Sequence, residues 1–171
     1  MKALHEAGEQ LLSEFYGLSE EELCWRATPE DLSLKETVAH LRDAQELALA
    51  QLHAIFERKR RLPHWDIDLL PAERDYQSEE AYDLLRSCEH LRTEVSYFFW
   101  GLDSGDWDLE GEHPFRGRIT VGQIAKELAD HDLGHLWQVR QLKARLENAG
   151  LSQSRPDPDG RAGRRARRSD R

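Results

Sequence analysis

An all-α four-helix bundle with one long crossover connection is the fold this sequence predicts, and three observations carry that prediction. Four long segments place apolar residues at helical spacing. None of the chain shows the strict alternation of a strand. A stretch bracketed by Pro63 and Pro71, LPHWDIDLLPAERDYQ, is too irregular to be helix and long enough to cross the bundle. At 171 residues the chain is about one domain, read as a bundle over 1–150 and a basic, disordered tail over 151–171.

The first helix is predicted from about Lys2 to Gly17, with Leu4, Ala7, Leu11 and Phe15 on one stripe. A short acidic connection, LSEEELCWRATPEDLS, follows. Ser33 and Glu36 then form a capping-box pattern that opens a second helix over about 34–60. Its stripe of Leu34, Val38, Leu41, Ala48, Leu52 and Ile55 is flanked by Thr37, His40, Ala44 and Leu47. That breadth predicts a helix with more than one neighbour. After the crossover, Ser78 is expected to cap a third helix reaching Trp100, with Leu84, Cys88, Leu91, Val95 and Phe99 on its stripe. A Gly- and Asp-rich loop leads to Thr120 and Gln123, a second capping-box pattern. The fourth helix ends near Gly150, suited to the left-handed position after a helix.

The net charge of −9 hides a division. Residues 155–171 hold seven Arg and three Asp, a balance of +4, which leaves −13 for the body. An acidic body repels phosphate, so no nucleic-acid partner is expected. No run approaches the ~20 apolar residues of a membrane span, and Glu6 and Glu9 interrupt the apolar pattern of the N-terminus. A cytoplasmic protein without a membrane partner is the expectation. Cys24 and Cys88 form no CxxC arrangement and imply no disulfide framework.

The chemistry lies in HDLGH, residues 131–135. Alternating steps of three and four along the fourth helix give Val121, Ile124, Leu128, His131, His135, Gln138 and Leu142, which puts both histidines on the expected core stripe. A buried imidazole without a partner costs about 1–3 kcal/mol. Two His at i and i+4 can instead turn toward one divalent ion. His40, on the buried face of the second helix, is the candidate third ligand. His53 stands thirteen residues further on, about 20 Å along the helix, and cannot share its site. His5, His64, His90 and His113 lie near the terminus, in loops or off the main stripes. Three neutral ligands leave the ion its full charge and open positions, as catalytic rather than structural sites do. The alternative is that carboxylates such as Asp43 satisfy the histidines.

AHLRD around His40, HPFRGRIT before the last helix and HDLGHLWQV within it resemble the DinB-like superfamily of metal-binding four-helix bundles. That group includes bacillithiol and mycothiol S-transferases and mycothiol-dependent maleylpyruvate isomerase. The resemblance spans about residues 1–147 and implies that His40, His131 and His135 bind one divalent cation, zinc or nickel first, iron or manganese next. It also implies a homodimer. Leu32 stands where the family often has Trp and Gln45 where Glu is common; neither is a ligand position.

On that reading the protein is an enzyme, a metal-dependent thiol S-transferase or related hydrolase or isomerase. Its partners are a small electrophilic molecule and a low-molecular-weight thiol. Asp43, Asp130, Asp132 and above all Gln138 are candidates to orient the ligands or move protons. A non-catalytic, stress-associated metal-binding bundle needs the same triad and is the alternative. A zinc protease is rejected, although HDLGH differs from HExxH only at Asp132. The sole acidic residue between His135 and the tail is Glu147, about 18 Å along the helix. Trp137 and the run YFFW at 97–100 are read as packing, dimer contact or pocket lining. Imidazole ligation predicts metal release as the pH falls toward 5.

Overall fold

The computed structural model describes residues 2–151, with side chains from His5 onward, so Leu4 as a core residue and the tail beyond Leu151 lie outside the described residues. The chain folds into four long helices with short elements between them. In order these are α1 (Lys2–Ser13), α2 (Glu20–Cys24), α3 (Leu34–Phe56), α4 (Leu70–Glu73), α5 (Ala81–Trp100), strands β1 (Glu110–His113) and β2 (Gly117–Thr120), and α6 (Val121–Asn148). The predicted bundle and its crossover are therefore present. Helix α1 packs on α6, and α3 packs on both α5 and α6. Between α1 and α5 the bundle leaves a groove of about 370 Å³.

Helix ends depart from the sequence reading for local reasons. Helix α1 stops at Ser13, not Gly17, where the Ser13 hydroxyl donates to the Gln10 carbonyl and the chain turns, leaving Gly17 at φ +77°. The acidic connection holds α2, capped by reciprocal bonds of Ser19 and Glu22, in a helix too short to show periodicity. Helix α3 ends at Phe56 rather than residue 60. Arg58 takes φ +55°, its N–H donates to the Ile55 carbonyl, and the Lys59 N–H donates to the Ala54 carbonyl. The same two bonds close α6, from Gly150 to Glu147 and from Leu151 to Leu146, with Gly150 at φ +71° as expected.

The crossover is partly ordered by α4 and by a 3₁₀ turn at Tyr76–Ser78. That turn takes up Ser78, so the residue preceding α5 is Glu80, with no side-chain cap. The loop before α6 is a correction to the strand-free reading: β1 and β2 pair antiparallel, Glu110 opposite Thr120 and His113 opposite Gly117. Four residues are too few for alternation to register. The hairpin is tied to the end of α3 by a bond from the Leu62 N–H to the Glu112 carbonyl. It carries Ile119 into the core.

The interior has two apolar halves. One gathers Leu11, Phe15, Leu34, Leu41, Leu84, Cys88 and Val139, and the other gathers Leu52, Ile55, Val95, Phe99, Ile124 and Leu128. Among the buried polar side chains are Gln45 of α3, Arg92 of α5 and Asp132 of α6. Asp132 pairs with Arg92 and is next in sequence to His131 of the predicted histidine site.

Candidate metal centre

Two helices and the crossover build the site. The Ser33–Glu36 capping box starts α3 at the position the sequence predicts, with the Ser33 hydroxyl accepting from the Glu36 N–H and the Glu36 carboxylate from the Ser33 N–H. Two turns later His40 is buried at the edge of the α3 core face. On α6 the core series is Leu128, Asp132, Leu136 and Val139 rather than the predicted Leu128, His131, His135 and Gln138. A helix of 3.6 residues per turn drifts by about 20° per heptad from a 3.5-residue repeat. Beyond Leu128 the drift moves the core to Asp132 and leaves His131 and His135 half-buried on its flank. There they face a cleft of about 830 Å³ lined also by Leu32, Asp68, Trp137, Gln138, Leu142 and Arg145.

The structure brings His40, His131 and His135 together, with one ligand nitrogen from each lying within 4.8 Å of the others. Nε2 of His131 is 3.0 Å from Nε2 of His40 and 3.1 Å from Nε2 of His135. A tetrahedral ion bonded at 2.0–2.1 Å separates such nitrogens by roughly 3.3 Å. The His40 Nδ1, 3.2 Å from the Ile67 carbonyl, must carry the proton, since a carbonyl only accepts. Its Nε2 is then a lone pair aimed at its neighbours. A single proton on His131 Nε2 bridges one gap and leaves the other, so hydrogen bonding within the triad cannot satisfy all three atoms, whereas one cation does. The Nδ1 atoms of His131 and His135 are buried with no hydrogen-bond partner among the described residues.

Electrostatics favours the same state of the rings. Burial, followed by the neighbouring imidazoles, lowers His131 to about 4 and His135 to about 3. Burial lowers His40 too, opposed by Asp68 and the Ile67 carbonyl. The three side chains are therefore neutral at pH 7, the form that ligates.

The other predicted residues are placed differently. Asp43 is fully buried and does not touch His40; it accepts from the Tyr76 hydroxyl at 2.5 Å, Arg74 Nη1 at 2.9 Å and Arg42 Nε at 3.1 Å. Asp132 is fully buried and turned away from the triad, onto Arg92. Asp130 is exposed and bonds Lys126. Gln138 is exposed, lines the cleft beside His135 and keeps its candidacy. Trp137 lines the same cleft. Of the YFFW run, Phe99 is in the core, while Tyr97 and Trp100 line the α1–α5 groove.

Three features escaped the sequence reading. Arg92 had a usable signal, four residues after Cys88 and three before Val95 on the α5 stripe. Tyr76 and Asp68 had none, because the crossover has no period to place them. The two cysteines are free, as expected, Cys88 buried and Cys24 half-buried. No helix among the described residues is long and apolar enough to cross a membrane.

A model of the DinB superfamily matches residues 3–139. A curated relative, the uncharacterised protein YuaE of Bacillus subtilis, is 26% identical over 165 residues, covering 87% of this chain and all of the relative. Among solved structures, YfiT from Bacillus subtilis matches with a TM-score of 0.74 at 14% identity, covering 85% of each chain. YfiT is described as a probable metal-dependent hydrolase with an unusual four-helix bundle topology. At that identity the likeness shows the fold.

Proposed function

The chain belongs to the DinB superfamily, and from that premise we propose that it is a divalent-metal-dependent enzyme acting on a small electrophilic molecule. The attacking group is water or a low-molecular-weight thiol, which makes the protein a hydrolase or an S-transferase. One observation carries the reading: three neutral imidazoles aim nitrogens at one point on the wall of an open cleft. A structural site would be closed by a fourth protein ligand. Among the described residues no fourth His, Cys, Asp or Glu joins this cluster.

A bound ion supplies Lewis acidity there, making a water or thiol acidic enough to attack near neutral pH. The chain's own residues do the rest. The Ile67 carbonyl fixes the His40 tautomer, and burial keeps His131 and His135 uncharged. Trp137, Leu32 and Leu142 give the cleft an apolar wall for the electrophile, and Gln138 a polar one beside His135. Three imidazoles suit several divalent metals alike; zinc or nickel, and a homodimer in the cytoplasm, accord with the family resemblance.

Elemental analysis of the purified protein and of His131→Ala tests the metal. About one equivalent of zinc or nickel per chain, lost in the variant, is expected; an equivalent retained in the variant overturns the triad. Conjugation and ester-hydrolysis assays with a panel of thiols test the chemistry. Metal-dependent turnover with a thiol selects the transferase, turnover with water alone the hydrolase, and none with either the non-catalytic bundle.

A further inference from the structure

Of the carboxylates around the cleft, Asp68 alone among the described residues comes within 4.0 Å of a triad nitrogen, its Oδ1 standing at that distance from His40 Nε2. Its charge acts on both His40 and His135. Asp31, also on the cleft wall, is engaged by Arg145 at 3.2 Å. Asp68 has no Lys or Arg partner among the described residues, and its side chain is 85% exposed at the cleft mouth. The backbone that presents it is held. The preceding carbonyl, of Ile67, accepts from His40 Nδ1, and the Asp68 N–H donates to Asp66 Oδ1 at 3.1 Å. Further along, Arg74 and Tyr76 are fastened to Asp43. An unpaired carboxylate is thus carried to the open side of three imidazoles on a segment anchored at both ends.

We propose that Asp68 is a catalytic residue, the hydrogen-bond acceptor that orients the attacking water or thiol at the open side of the triad. This rests on the metal-dependent reading above. One Asp68 oxygen accepts the O–H or S–H hydrogen of the attacking group. As the new bond to the electrophilic atom forms from the oxygen or sulfur electron pair, the proton passes to the carboxylate. The displaced group leaves with the pair it had shared with that atom. Asp68 lies outside the set of mutually close ligand atoms, which comprises the three histidines, so those three and not Asp68 are the residues that would hold the ion.

The test uses full-length protein loaded with Co(II), compared with Asp68→Asn, Asp68→Ala and His131→Ala. Asp68→Asn is expected to keep about one equivalent of Co(II), with affinity reduced by less than about tenfold. Removing a negative charge beside the bound water favours hydroxide, so the pH midpoint of the Co(II) absorption spectrum moves down in both Asp68 variants. Metal-dependent turnover of a nitrophenyl ester or a thiol-reactive dye falls by about 10²- to 10⁴-fold. Loss of Co(II) as complete as in His131→Ala overturns the assignment by making Asp68 a ligand. An unchanged absorption midpoint overturns it by leaving Asp68 a surface carboxylate. Wild-type protein that takes up no Co(II) refutes the metal reading itself, and the role of Asp68 with it.

Discussion

Asp132 sets both carboxylate oxygens on the Arg92 guanidinium, Oδ1 at 2.8 Å from Nη2 and Oδ2 at 2.6 Å from Nη1, inside the bundle, while its sequence neighbour His131 faces the cleft. Burial raises the Asp132 carboxyl, and Arg92 opposes that shift. The guanidinium lies against Gly8 of α1, where a Cβ would come within 2.8 Å of its Cζ and Nε. Three helices therefore meet at one buried charge pair directly behind a triad member.

The pair is expected to be costly to break and cheap to replace. Asp132→Ala leaves a buried guanidinium unpaired and should lower stability by about 3–5 kcal/mol. The double variant Arg92→Met with Asp132→Leu should recover most of that loss, since two apolar side chains need no pairing. Chemical denaturation of the single and double variants measures the coupling. Additive losses would show that the pair is not an interacting unit.

The matched ends of α3 and α6 give a second prediction. Both close with the same two backbone bonds, but Arg58 holds the left-handed position in one and Gly150 in the other. A side chain in that conformation costs about 1–2 kcal/mol. Arg58→Gly is expected to raise stability by up to about 1 kcal/mol, the relief of that strain being partly offset by the greater chain entropy glycine loses on folding. Gly150→Ala should lower it by about 1 kcal/mol. Thermal melts of both variants decide, and shifts of the same sign would contradict the shared motif.

How legible the site was depended on which part of the chain carried it. The His40 and HDLGH motifs were readable because capping boxes at Ser33 and Thr120 set helix phase, and phase brought the three rings to one place. The same phase was misjudged past Leu128, where a heptad step stood in for the 3.6-residue turn and moved Asp132 from the core to the cleft side. Asp43, expected beside the histidines because it lies one turn from His40, instead fastens the crossover, and its partners Arg74 and Tyr76 come from a stretch with no repeat to locate them. The hairpin went unseen because four-residue strands hold too few positions to alternate.

Asp43 fastens that crossover, which predicts a local effect on removal. Asp43→Ala strands the Tyr76 hydroxyl, buried at 1% exposure, and releases Arg74. A loss of about 1–3 kcal/mol is expected from the unpaired buried hydroxyl. Amide hydrogen exchange should rise first over residues 63–76 and only later in the bundle helices. Uniform acceleration across α3, α5 and α6 would show that Asp43 supports the whole core instead.

The triad also fixes how the metal-free protein responds to acid. Burial holds the native His131 near 4 and His135 near 3 and lowers His40, against about 6.5 in an unfolded chain. For a base whose native pKa is depressed, the contribution to stability is full above the unfolded value and is lost as the pH falls toward the native one. Between about pH 6.5 and 4 the unfolded chain takes up protons that the native rings refuse. Metal-free protein should therefore lose stability steadily across that window, and His135→Gln should flatten the slope by up to about 1.4 kcal/mol per pH unit. The same depression protects ligation: protons compete for these nitrogens only near their native values. Release of bound metal is therefore expected at a lower pH than ordinary imidazoles with the same metal affinity would give. Denaturation curves at a series of pH values, with metal release followed by a chromogenic chelator, check both halves. Half-release near pH 6 would show that the rings titrate as exposed histidines do.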